Sequence, residues 1–177
     1  MLDEAARSKL REIADAAVRA AAGADAPEVA PDGLSALDAP CGAFVTLKIG
    51  GKLRGCIGTI QASRPARETV REMAESAAVR DPRFPALAAD EVDEVALEIS
   101  LLSPLTRVED VAEIEVGRHG LYVKQGQWTG LLLPQVPGDH GWDREEFLAK
   151  TCFKAGLTED AWQDPETEIY RFEAEIF

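Results

Sequence analysis

The chain has 177 residues, 46% of them hydrophobic and 29% charged, with a formal net charge of −13. That size and composition fit a globular protein with a sizeable core and exclude wholesale disorder. The acidic balance argues against non-specific nucleic-acid binding, which needs Lys and Arg against phosphate, and no apolar run approaches the ~18 residues of a membrane span.

Residues 3–22 read as an amphipathic helix, with Ala6, Leu10, Ile13, Ala14, Ala17 and Ala21 at three- and four-residue steps and Gly23 as its stop. Residues 24–40, with Pro27, Pro31, Gly33 and Pro40, read as an extended connection. Residues 43–47 are a strand, and Gly50-Gly51 is a two-residue turn that accepts positive φ at both positions, so the chain doubles back as a hairpin. In the return strand, alternation predicts Lys52, Arg54 and Cys56 on one face and Leu53 and Ile57 on the other. A second helix opens at Ser63-Arg64-Pro65, with Ser63 as cap and Pro65 in the first turn. Its buried stripe is Ala66, Val70, Met73, Ala74 and Ala77, and Asp81-Pro82 ends it near Arg80.

Residues 95–102 alternate as a strand, with Val95, Leu97, Ile99 and Leu101 inward and Glu98 opposite them. Residues 120–124 and 128–133 form a second hairpin, and residues 134–141 are a Pro/Gly loop carrying His140. Asp143 and Glu146 have capping-box spacing for a helix that buries Phe147, Leu148, Thr151, Cys152 and Ala155 and stops at Gly156. Residues 168–176 close the chain as a strand with Tyr170, Phe172, Ala174 and Ile176 inward.

Cys41, Cys56 and Cys152 are widely spaced with no Cys-x-x-Cys pair, and His119 and His140 are scattered. They suggest neither a disulfide framework nor a metal site, so the expectation is a reduced, cytoplasmic protein with no metal and no cofactor. Charge is unevenly placed. Residues 48–83 hold eight basic and four acidic residues (8 − 4 = +4), whereas residues 109–177 hold six basic and fifteen acidic (6 − 15 = −9). A positive segment on a negative molecule is a candidate seat for a small anion or an acidic partner surface.

Three readings of this segment stand side by side. In the first, Arg54 and the N-terminus of the following helix favour a thiolate at Cys56, with Glu98, His119 or His140 as the base and Arg83 binding a substrate carboxylate or phosphate. In the second, the site binds without bond-making: Lys52, Arg54, Gly55, Gly58, Thr59, Asp81 and Arg83 engage an anion or a partner. In the third, Gly-Cys-Ile-Gly is only a tightly packed sheet element.

Leu53-Arg54-Gly55-Cys56-Ile57-Gly58-Thr59 resembles the signature of the AMME-syndrome chromosomal-region (AMMECR) domain family. Asp81-Pro82-Arg83-Phe84, Leu97-Glu98-Ile99-Ser100-Leu101-Leu102, Leu133-Pro134-Gln135-Val136, Gly141-Trp142-Asp143 and Lys154-Ala155-Gly156-Leu157 follow in the family's order. The resemblance implies an α+β fold over residues 1–177, a single domain of two unequal lobes. Its sheet would be mainly antiparallel or mixed and flanked by helices, with the Arg-Gly-Cys segment at a cleft between the lobes. It also implies two partners, a Memo-like relative of extradiol dioxygenases and a radical S-adenosylmethionine protein. It supplies no reaction.

Overall fold

The computed structural model of the chain describes residues 2–177. Two compact units emerge, one running up to Leu102 and including Glu175–Phe177, the other Ser103–Ala174.

In the first unit, helix α1 (Glu4–Ala21) starts where the Asp3 carboxylate accepts the Ala6 N–H at 2.8 Å. This satisfies one of the donors that every helix leaves free at its start. Strands β1 (Gly42–Ile49) and β2 (Lys52–Thr59) form the expected hairpin. Gly50 and Gly51 hold φ +55° and +78°, as a two-residue turn matched to strand twist demands. Helix α2 (Ala66–Val79) and strand β3 (Val95–Leu102) follow, and β3 pairs with β1 in antiparallel fashion, giving the order β2-β1-β3.

The period of two then divides this sheet. Ala43, Val45, Leu47, Leu97, Ile99 and Leu101 join Leu10, Ile13 and Val18 of α1 and Val70, Met73 and Ala74 of α2 in one apolar core. Each fully buried Leu or Ile there contributes about 1.5–3 kcal/mol. Phe44, Thr46 and Lys48 are left for the other face.

Two local expectations change here. Val18 joins the buried stripe of α1, while Ala17 and Ala21 are only partly buried. Helix α2 begins one residue after Pro65, without a side-chain cap from Ser63. Its entry is held extended instead, because Cys41 donates to the Arg64 carbonyl and Ala66 to that of Ala39.

The second unit contains strands β4 (Thr106–Arg107), β5 (His119–Gln125) and β6 (Trp128–Leu132), helices α3 (Gln135–His140) and α4 (Arg144–Lys154), and strand β7 (Glu168–Ile176). The strand order is β4-β7-β5-β6, all antiparallel, so the α+β class holds. The last residues of β7 belong to the first unit, where Phe177 exchanges hydrogen bonds of 2.8 and 3.0 Å with Ile99. The capping box of α4 is complete: Asp143 accepts the Glu146 N–H at 2.9 Å and Glu146 accepts the Asp143 N–H at 3.0 Å. The stripe Phe147, Leu148, Thr151 and Cys152 is buried as expected.

The loop expected at residues 134–141 is instead the short helix α3, opened by Pro134 and closed by Gly141 at φ +68°. The inward set expected for β7 is also corrected. Ile169 and Phe172 are its buried residues, and Ile176 is 41% exposed. Three-residue spacing puts Ile169 and Phe172 on opposite faces: Ile169 packs in the core with α4, and the Phe172 ring lies against Gly120.

Candidate binding site at the Gly-Cys strand

The site is built on β2. Gly55 faces the helices, and a Cβ there would stand 2.2 Å from the Ala77 carbonyl oxygen of α2. Glycine lets strand and helix touch backbone to backbone. The end of α2 that meets this strand is therefore its C-terminal end, the negative end of the helix dipole, not the N-terminus expected from sequence.

Cys56 pairs with Thr46 of β1, which in turn pairs with Glu98 of β3, so the three lie in one row across the sheet. Cys56 is half-buried as a residue, and the Thr46 hydroxyl donates to Sγ at 3.2 Å. Glu98 does not reach the sulfur; its carboxylate takes the Lys48 ammonium at 2.9 Å.

The strongest feature is the corner after α2. Asp81, 5% exposed, accepts the Cys56 N–H at 2.9 Å, and Arg83 donates through Nη2 to the Cys56 carbonyl at 3.3 Å. The two side chains join through Nε and Nη2 of Arg83 at 2.9 and 2.7 Å, and Asp81 also accepts the Arg83 backbone N–H at 3.1 Å. This pair occupies the outer edge of β2 at Cys56 as a neighbouring strand would. The Arg83 guanidinium, with the Cys56 and Arg83 N–H groups, holds the Asp81 carboxyl well below the usual carboxylate range, against the opposing effect of burial. Arg83 itself keeps 55% of its side chain exposed, and its Nη1 has no hydrogen-bond partner among the described residues.

Arg54 is placed differently from the sequence expectation. The register slips between Leu47 and Lys48, so Gly55 pairs with Leu47 but Leu53 pairs with Lys48. Arg54 is the extra residue of this bulge, which breaks the alternation that was to align Lys52, Arg54 and Cys56. Its Nε and Nη2 make a two-pronged bond to Glu91 at 2.9 and 2.8 Å, and Nη1 reaches the Pro85 carbonyl at 2.9 Å. Glu91, with Arg54 and the Ala88 N–H on its oxygens, is pulled down to about 2. Arg54 thus locks residues 85–91 onto β2, and the cation facing Cys56 is Arg83.

The remaining candidates spread out. Lys52 is exposed and Thr59 lines a small hollow of about 180 Å³ with Ser63, Arg64 and Met73. Gly58 lies under the Phe44 ring of its cross-strand partner. In the second unit, His119 is buried, accepts the Glu115 N–H on Nδ1 at 3.0 Å, and is held below its ordinary value by burial and by Arg171. His140 stacks on Trp142 with ring centroids 4.6 Å apart. Cys152 is fully buried and its thiol is pushed up to about 11 by desolvation, which suits a packing role. Among the described residues no cluster of His, Cys, Asp and Glu has the makings of a metal site, and no helix is long and apolar enough to cross a membrane.

Sequence reasoning missed Thr46 and Glu91. Counting back from the Gly50-Gly51 turn brings Thr46 to within one residue of Cys56, the error being the bulge. Glu91 sits in irregular chain and leaves no periodic signal.

These features define a class of α+β protein in which a Gly-Cys-Ile-Gly strand is pinned to a helix on one side and to an Asp-Pro-Arg corner on its edge. The AMMECR1 family model matches residues 10–177, and the chain belongs to that family. Protein TK0174 of Thermococcus kodakarensis is 50% identical over 77% of this chain and 71% of its own length. A Thermococcus gammatolerans protein is 52% identical over 71% of this chain, and the matched stretch spans only 63% of that relative. The crystal structure of uncharacterized protein PH0010 from Pyrococcus horikoshii superposes with a TM-score of 0.89 at 40% identity, covering 99% of this chain and 92% of that one.

Proposed function

We propose that this chain is a binding component that receives an acidic group, a carboxylate or phosphate, on the Arg83 guanidinium beside Cys56. The observation that carries the reading is the half-used, exposed guanidinium of Arg83, held in place by a buried carboxylate. Asp81 fixes its plane, so little side-chain entropy remains to be lost when an anion docks on Nη1. Phosphate and acetate titrations followed by NMR supply the test. Shifts should centre on residues 81–84 and 56 and vanish in Arg83→Ala, and shifts spread evenly over the basic surface would refute the reading.

The partners proposed for this surface are the Memo-like and radical S-adenosylmethionine proteins that the family resemblance implies. Co-purification with either should weaken in Arg83→Ala and survive in Cys56→Ser; equal capture by the wild type and Arg83→Ala removes this role for the site.

A second reading is favoured by the Thr46 hydroxyl on Sγ. In it, Cys56 is a nucleophile toward a substrate whose anionic group sits on Arg83, and Glu98 acts as a more distant proton acceptor through its row across the sheet. Alkylation of Cys56 by iodoacetate and by neutral iodoacetamide separates the two readings. Faster reaction with the anionic reagent, lost together in Thr46→Val and Arg83→Ala, supports the enzyme; indifference to both substitutions removes it.

A further inference from the structure

Strand β6 is the outer strand of its sheet, with β5 on one side only. Open edges are ordinarily guarded by charge, proline, bulges or covering side chains, because their free N–H and C=O groups pair with any other strand. The other edges of this protein are guarded. Strand β2 has a bulge, Lys52, Arg54 and the Asp81–Arg83 pair across its backbone at Cys56, and β4 is only two residues long and carries Arg107. Strand β6, Trp-Thr-Gly-Leu-Leu, has no such guard. It lies within a stretch without a single charged residue between Lys124 and Asp139, in a chain that is 29% charged. Trp128, at its start, is 53% exposed.

The register shows which groups are open. Gly126 and Gln127 form a two-residue turn, so the flanking pair Gln125–Trp128 is hydrogen bonded, as are Val123–Gly130 and Leu121–Leu132. Thr129 and Leu131 must then point their N–H and C=O groups away from β5, and no partner meets those groups among the described residues. Gly130 lies midway, pressed against the backbone of α4 at Thr151 and Ala155.

We propose that β6 is the self-association edge of this protein and that its occupant is a second copy of the same strand, antiparallel, with the two-fold axis at Gly130. That axis sets Thr129 opposite Leu131 of the partner copy, so four outward backbone groups on each strand are satisfied at once. It also sets Trp128 opposite Leu132, apolar against apolar. Charge selects this edge over the rest of the surface. Two copies of a −13 protein repel, and the repulsion is smallest where neither brings a charge to the seam. The contact is a short ladder, which fits a weak, reversible dimer instead of an obligate one.

Sedimentation velocity on the full chain from about 1 μM to about 500 μM supplies the test. A monomer–dimer equilibrium is expected, tightening as salt is raised from about 50 mM to about 500 mM because screening relieves the repulsion between copies. Thr129→Pro removes an outward N–H without touching the β5 ladder, and Thr129→Lys adds a charge at an exposed position. Each should raise the dimer dissociation constant by about tenfold or more with the thermal melt nearly unchanged. If Thr129→Pro melts early, Thr129→Lys decides. A chain that stays monomeric throughout, or a dimer unaffected by Thr129→Lys, overturns the proposal.

Discussion

At Gly55 two backbones meet with nothing between them, and the neighbour is a carbonyl that cannot rotate aside. Gly55→Ala must move α2 or β2 by more than an ångström to relieve the overlap with Ala77. The cost expected is about 1–3 kcal/mol, read as a lower urea midpoint at unchanged slope. Asp81 is sensitive for a different reason. It accepts from a strand N–H while paired with Arg83, so Asp81→Asn keeps one acceptor but loses the charge that orients the guanidinium. Destabilisation of roughly 1–3 kcal/mol should accompany loss of anion binding at Arg83. Arg83→Ala should also abolish binding, at a cost in stability at least comparable, because it leaves the buried Asp81 carboxylate with backbone N–H donors alone. Unfolding curves and anion titrations on the two variants check this.

At the scale of elements, what was legible in the sequence was whatever the local period controls. The Gly50-Gly51 hairpin, the alternation of β3 and the capping box of α4 are each local, and each is found. Asp143→Ala, which removes one half of that box, should cost α4 about 1 kcal/mol and show as a drop in thermal midpoint. What failed was set by contacts distant in sequence. The bulge at Arg54 exists where the chain must present Gly55 to α2 and its side chain to Glu91, thirty-seven residues away. The start of α2 is set by the pairing of residues 40 and 65, and the inward set of β7 by what packs on each of its faces. The candidate site shows the same division. Cys56, Asp81 and Arg83 were identifiable as residue types, but their union on one strand edge is tertiary. The cation that meets Cys56 was therefore assigned to Arg54, when it is Arg83, which reaches the Cys56 carbonyl.

For the whole molecule, carboxylates lowered by their partners occur in both units but the buried histidine lies in the second, so acid should not unfold them together. In the second unit, burial and Arg171 hold His119 below its ordinary 6.5, with Arg118 acting the same way and Glu115 and Glu173 opposing. The unfolded chain then binds a proton that the folded unit resists. The stabilisation is complete above pH 6.5 and begins to be lost as pH falls below it. In the first unit the sensitive groups are carboxylates. Glu91 moves from 4.5 to about 2 beside Arg54, and Asp81 is lowered from 3.8 by Arg83. Their contribution is intact above about pH 4.5 and disappears only as pH falls toward about 2. Hydrogen exchange followed by mass spectrometry from pH 8 downward should find peptides of residues 103–174 losing protection first, once corrected for intrinsic exchange rates. Peptides of β1, β2 and α2 should hold to lower pH. His119→Gln, which cannot acquire a charge, should flatten the first phase while leaving the second in place. A single step below pH 4 shared by both units would show that their folding is coupled more tightly than their separate cores imply.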